Sequence, residues 1–267
     1  MIIQEPSYQL FQGQSPVLIS MPHNGQEIPD DIKAVMTPEA LKVTDTDWYM
    51  DKLYDFAQAM GVSTICPKYN RYVIDLNRNT NGENLYPGAN STELCPTTAF
   101  DLSPLYQAGH LPDDAEIERR IDLYWQPYHQ ALAAQLERIK AKHGFAILLE
   151  AHSIKSVVPR FFEGQLPDFN FGTNQGQSCT TPLIDAIEAI NYSPYSQVTN
   201  GRFKGGYITR HFGQPSANVE ALQLELSQAT YLNESDLSYS DNKADEVKPK
   251  LQAMVQVLVD YAQSKAV

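Results

Sequence analysis

The sequence predicts an α/β fold, and three features carry that reading. Two apolar runs of strand length end in reactive polar residues: Val17-Leu-Ile-Ser-Met-Pro-His23, and Ile147-Leu-Leu-Glu-Ala-His-Ser153. Buried strands of α/β proteins deliver side chains to a cleft at their C-terminal ends in this way. From Asp113 to Lys142, Ile117, Ile121, Tyr124, Tyr128, Leu132, Leu136 and Ile139 recur every three or four residues, the period of a helix with one buried face. Finally, Leu222, Leu224 and Leu226 alternate with Gln223, Glu225 and Ser227, which is strand periodicity with the acid opposite the leucines. At 267 residues the chain is long enough for a well-buried core, and we expect one domain spanning residues 1–267.

Taken in order, Ser15 to Met21 reads as the first strand, and Pro22-His23-Asn24-Gly25 as the turn that follows. A helix is expected to start at Thr44-Asp45-Thr46-Asp47 and to run through Trp48, Met50, Leu53, Tyr54, Ala57 and Met60 to Gly61. Val62–Cys66 and Tyr72–Leu76 have the composition of strands. Residues 79–111 are rich in Asn, Gly, Pro, Ser and Thr without periodicity, and so predict a long functional loop. Pro127 predicts a kink or break in the long helix, and Gly144 its end. A second loop is expected over residues 164–181, a helix over 182–190, a strand over 219–226, and a closing helix over 245–262 with Pro249 near its start.

A net charge of -12 argues against nucleic acid and anionic membranes as partners, since both select basic surfaces. No window approaches the roughly 18 consecutive apolar residues of a membrane span, and the first residues lack an export signal's pattern. Cys66, Cys95 and Cys179 have no paired spacing, so neither disulfides nor a zinc knuckle is indicated, and a reduced cytoplasmic setting fits. Oligomeric state is not legible.

His23 and His152, each at a strand end beside small polar residues, form the start of a metal site, with Asp47 or Glu27 as third ligand. Asp47 has a competing use as a helix-start acid. Glu225 is the candidate general base, because an acid on a strand with an apolar face is costly unless paired or functional. Glu150, which alternates onto the same face as His152, is the second candidate or a group that orients a ligand. Arg71, Arg78, Arg160 and Arg210 suggest a substrate bearing carboxylates, which guanidinium forks bind in a fixed orientation. Of the remaining histidines, only His211, in a glycine-bounded turn, is placed for chemistry.

Several stretches share one family's order and spacing. Ser20-Met-Pro-His-Asn-Gly25, Asp45-Thr-Asp-Trp48, Asn70-Arg-Tyr-Val-Ile-Asp-Leu-Asn-Arg78, Glu150-Ala-His-Ser153, and Gln223-Leu-Glu-Leu226 with Tyr231 resemble the N-formylglutamate amidohydrolase family. Leu85-Tyr-Pro-Gly88, Leu94-Cys-Pro96, Pro159-Arg160, Leu166-Pro-Asp-Phe-Asn-Phe-Gly-Thr173 and Gly206-Tyr-Ile-Thr-Arg210 narrow the resemblance to its histidine-degrading branch and extend it over nearly the whole chain. The resemblance implies a three-layer α/β/α sandwich with a mixed central sheet, zinc-carboxypeptidase-like (phosphorylase/hydrolase-like). It also implies one divalent metal, Zn2+ first, and hydrolysis of N-formyl-L-glutamate to formate and L-glutamate. Zinc carboxypeptidases carry a His-x-x-Glu motif, but here Gln26 stands where the glutamate would be. The carboxylate ligand must therefore come from elsewhere, Asp47 before Glu27.

The expected site comprises His23, Asp47 and His152 on the metal, Glu225 as base with Arg210 as catalytic cation, and Arg71, Arg78, Asn77, Arg160 and His211 around the substrate. Two rivals stand beside it. One is another zinc amidase or carboxypeptidase-like hydrolase acting on an N-acyl amino acid or peptide. The other is a non-catalytic binder of dicarboxylic amino acids.

Overall fold

The computed structural model describes residues 6–82 and 90–265, so the Leu85–Gly88 stretch lies outside the described residues. In chain order the elements are β1 (Tyr8–Phe11), β2 (Val17–Ser20), α1 (Asp30–Lys33), α2 (Met50–Leu53), α3 (Phe56–Ala59), β3 (Ser63–Pro67) and α4 (Asp114–Arg120). A π-helical turn, Ile121–Trp125, leads into α5 (Gln126–His143). There follow β4 (Ala146–Ile154), β5 (Phe169–Gly172), α6 (Thr181–Glu188), β6 (Gln197–Thr199), α7 (Tyr207–Phe212), β7 (Val219–Ser227) and α8 (Asp241–Lys265).

Seven strands form one mixed sheet in the order β1-β3-β2-β4-β7-β5-β6. The central four, β3, β2, β4 and β7, run parallel, while β1 and β5 are antiparallel to β3 and β7. Strand alternation divides the core in two. Ile147, Leu149, Leu222, Leu224 and Leu226 pack with Leu251, Met254, Val255 and Leu258 of α8 and Leu183 of α6. On the opposite face Leu148, Ala146 and Ala221 pack with Tyr128, Leu132, Leu136 and Ile139 of α5. Helices therefore cover both faces, as an α/β/α sandwich requires, and β2, β4 and β7 are buried along their whole length.

The long helix starts with Asp113 accepting from the Glu116 amide and ends at Gly144, whose φ of 74° favours a residue without a side chain. The expected break occurs where the π-helical turn precedes Pro127 in the first turn of α5, so the missing amide hydrogen disrupts no bond of a regular helix.

Five expectations need correction. The helix expected over Thr44–Gly61 is two single turns, α2 and α3, because Tyr49 sits at φ 59° and the Met50 amide donates to Asn24 Oδ1 rather than to a preceding carbonyl. Tyr72–Leu76 is buried but is no strand: its backbone turns on Asn70 and pairs with Leu94 instead of with the sheet. The loop expected over residues 164–181 holds β5, and the strand expected first in the chain follows β1. The last helix begins at Asp241, leaving Pro249 inside it.

Candidate active site

At the C-terminal edge of the sheet, β4 and β7 lie in register with Glu150 opposite Gln223 and His152 opposite Glu225. Directly opposed residues of neighbouring strands point to the same face, so these four polar side chains form one patch, on the side covered by α5 and α7. Ser20 of β2 pairs with Glu150, and three residues later the chain delivers His23 to the same edge. The turn behind His23 requires Gly25, where a Cβ would lie 2.2 Å from the Tyr69 carbonyl oxygen.

His23 and His152 approach each other with ring centroids 4.7 Å apart, and Asp47 stands between them. Asp47 Oδ2 lies 2.9 Å from His152 Nδ1 and 3.8 Å from His23 Nδ1. The far ring nitrogens each meet a buried carboxylate: His23 Nε2 donates to Asp75 Oδ1 at 2.7 Å, and His152 Nε2 donates to Glu150 Oε1 at 2.7 Å. That pattern holds a proton on Nε2 of each ring and turns Nδ1 toward Asp47, where a cation would bind. One ligand atom from each of His23, Asp47 and His152 lies within 4.8 Å of the others, so small side-chain movements bring all three to bonds of about 2.0–2.2 Å with a cation. Two imidazoles and a carboxylate, with a cavity above them, suit a catalytic zinc with an open position. Asp47 is no helix cap, since α2 begins beyond it without a side-chain cap. Glu27 is exposed, 3.7 Å from Lys68.

The surroundings set the charges. Burial penalises the Asp75 carboxylate, but His23 and Arg71 outweigh it and hold the acid well below the usual carboxylate range. Burial and the positive charge of Arg71 lower the pKa of His23 despite Asp75 and Asp47. For His152 burial is overcome by Glu150 and Asp47, which raise its pKa well above the ordinary histidine value. Burial pushes Glu225 up to about 8.

Arg71 donates to Asp75 Oδ2 at 2.7 Å, and its other terminal nitrogen lies 3.8 Å from Asp47. Asn77 uses its side-chain Oδ1 to accept from the Ile208 amide of α7, while its Nδ2 lies 3.1 Å from His152 Nε2. Arg78 is held on Thr92 through the carbonyl and hydroxyl oxygens. Two side chains of the long helical segment fasten the backbone here: Trp125 donates to the Arg78 carbonyl and His129 to that of Leu76.

The cavity above the cluster, about 610 Å³ including its open mouth, is lined by His23, His152, Glu225, Arg71, Asn77 and Arg78 among the expected residues. Arg160, Arg210 and His211 are not among its lining residues. Arg160 donates to the Thr98 and Ala99 carbonyls, Arg210 donates to the Gly205 carbonyl from α7, and His211 is exposed and stacked on Tyr207. Tyr231 is a buried brace between Ser153 and the Trp48 carbonyl.

Residues 15–232 match the N-formylglutamate amidohydrolase family. The chain belongs to that family. Two N-formylglutamate deformylases are similar to it nearly end to end. The protein of Pseudomonas aeruginosa is 44% identical, over 95% of this chain and 96% of its own, and that of Pseudomonas putida 42% identical, over 94% of each. Among solved structures, the N-formylglutamate amidohydrolase of Ralstonia eutropha JMP134 has the same fold, with a TM-score of 0.82 over 97% of this chain and 99% of that one at 24% identity. A protein of Agrobacterium tumefaciens also shares the fold, with a TM-score of 0.73 over 96% of each chain at 14% identity.

Within this family member, reasoning from the sequence did not single out Asp75, Gln223, Thr209 or Arg202. Asp75 stood in view, two residues before Asn77, but an acid at the end of an apolar run carries no mark of the histidine it will meet. Gln223 accepts from the Gly206 amide and lies 3.3 Å from Glu225, and the Thr209 amide donates to Glu150.

Proposed function

We propose that this chain hydrolyses N-formyl-L-glutamate to formate and L-glutamate, with one divalent cation, Zn2+ first, held by His23, Asp47 and His152. The observation that carries the reading is the convergence of those three ligand atoms beneath a cavity that also holds a buried acid, Glu225, and two arginines of the family's own motif, Arg71 and Arg78. The 42–44% identity to two deformylases supports the substrate. When bound, the cation supplies Lewis acidity, acidifying water and polarising the formyl carbonyl.

The protein groups do the rest. Asp75 and Glu150 fix the two imidazoles with Nδ1 inward. Glu225 takes a proton from the attacking water as its oxygen bonds to the formyl carbon. It returns that proton to the amide nitrogen as the carbon–nitrogen bond breaks, ending as a carboxylate. A base with its pKa raised toward neutrality suits both transfers. Arg71, 3.8 Å from Asp47, is placed to stabilise negative charge developing on the carbonyl oxygen. Arg78 holds a substrate carboxylate. A cytoplasmic setting, where thiols stay reduced, suits Cys66, Cys95 and Cys179, all of which are free. Among the described residues no helix is long and apolar enough to cross a membrane.

The test is formate release from N-formyl-L-glutamate alongside metal analysis. Chelation should abolish release, and Glu225→Gln should lower it by about 10²–10⁴-fold with metal retained. Glutamate binding without formate release at any metal loading would instead favour a binding protein.

A further inference from the structure

Three arginines line the cavity, and only two of them come from the family motif that led to the site. The third is Arg202, in the loop between β6 and α7. Its position is built: the Asn200 amide donates to the Phe171 carbonyl, and Asn200 Oδ1 accepts from the Thr173 amide, so the end of β5 holds the turn that carries Arg202. The guanidinium donates to the Phe161 carbonyl at 2.6 Å and to the Asn90 carbonyl at 3.2 Å, and lies 5.3 Å from the Phe203 ring centroid. Arg78, which also lines the cavity, donates to the carbonyl of Thr92 in the same stretch at 3.1 Å. The two guanidinium groups are thus moored two residues apart on one segment, which spans at most about 7 Å. The carboxylates of glutamate are separated by three carbons, a comparable reach. Arg71, the other cation lining the cavity, donates to Asp75 and lies 3.8 Å from Asp47.

We infer that Arg202 determines specificity for a dicarboxylic substrate: it binds the side-chain carboxylate, while Arg78, whose chain neighbour Asn77 reaches His152, binds the α-carboxylate. This rests on the hydrolase reading above. N-formyl-L-glutamine matches N-formyl-L-glutamate in size and lacks only the terminal charge, so comparing the two isolates the contact. Metal-loaded wild-type protein should prefer the glutamate derivative in kcat/KM by about 10- to 100-fold, the range for a hydrogen-bonded charge. Arg202→Met should erase that preference by raising KM for the glutamate derivative at nearly constant kcat, leaving the glutamine derivative within about threefold. Arg202→Lys, which keeps the charge and loses the fork, should fall between. Equal losses on both substrates would reduce Arg202 to a brace for Phe161 and Asn90 and overturn the inference. So would a wild-type protein that does not discriminate, a measurement needing no variant. Failure of the hydrolase reading looks different: no formate from either substrate.

Discussion

The two histidine arms of the site share one plan and differ in charge. In each, a parallel strand ends near an imidazole whose Nε2 rests on a buried carboxylate and whose Nδ1 turns to Asp47. On the His23 arm, Asp75 also carries Arg71, and that cation helps burial keep His23 neutral. On the His152 arm, Glu150 accepts from the Thr209 amide and hydroxyl, and among the described residues no arginine pairs with it, so two acids draw a proton onto His152. One ligand is therefore ready to bind a cation, and the other must first give up a proton. Similar local geometry yields different chemistry because the longest-reaching interaction, charge, is supplied by different neighbours.

The largest test of this contrast is removal of its two carboxylates. Asp75→Ala leaves Arg71 and His23 buried without their acid, and should lower stability by about 3–5 kcal/mol in urea unfolding of the metal-free protein. Glu150→Gln keeps the shape and a hydrogen-bond acceptor, and should act mainly on cation binding, weakening zinc affinity about 10–100-fold in competition with a chelator. Equal stability losses in the two variants would remove the distinction between the arms.

Acid and base should unsettle the metal-free protein from opposite sides. Asp75 has a depressed pKa, so the stability it contributes is fully present above its ordinary value of 3.8 and is lost as pH falls below it. Glu225 has a raised pKa: its contribution is fully present below 4.5 and is lost as pH rises through about 8. His152 behaves likewise, with its contribution complete below 6.5 and declining above that. Unfolding midpoints measured across pH should fall at both ends, and Glu225→Gln should flatten the alkaline side alone. A related expectation concerns the cation: zinc binding should release a proton drawn from His152, so that affinity rises with pH and calorimetric heats change with the ionisation enthalpy of the buffer. The smallest effect belongs to Trp125→Phe, which removes the hydrogen bond to the Arg78 carbonyl at a cost of about 1 kcal/mol, visible as a modest shift in unfolding midpoint.

Much of the framework was legible because it rests on local periodicity. The strands around Leu18, Leu148 and Leu224, and the helix broken before Pro127, follow from which neighbours are apolar. Both histidines could be placed at strand ends for the same reason. Tyr72–Leu76 misled because burial and strand pairing are different facts: its side chains enter the core while its backbone bonds to Asn70 and Leu94. Asp47 was ambiguous between cap and ligand until the positive φ of Tyr49 separated it from the helix.

By itself, then, the chain determined which segments become strands and helices, that reactive groups gather at strand ends, and to which family it belongs, since apolar spacing and motif order are properties of a one-dimensional string. Only the tertiary structure decided that Asp75 serves His23, that Arg71 sits by the metal ligands while Arg160, Arg210 and His211 stand outside the cavity lining, and that Arg202 enters it. Those assignments depend on which distant residues meet, and hydrogen bonds and charges act over a few ångströms of space without regard to separation along the chain.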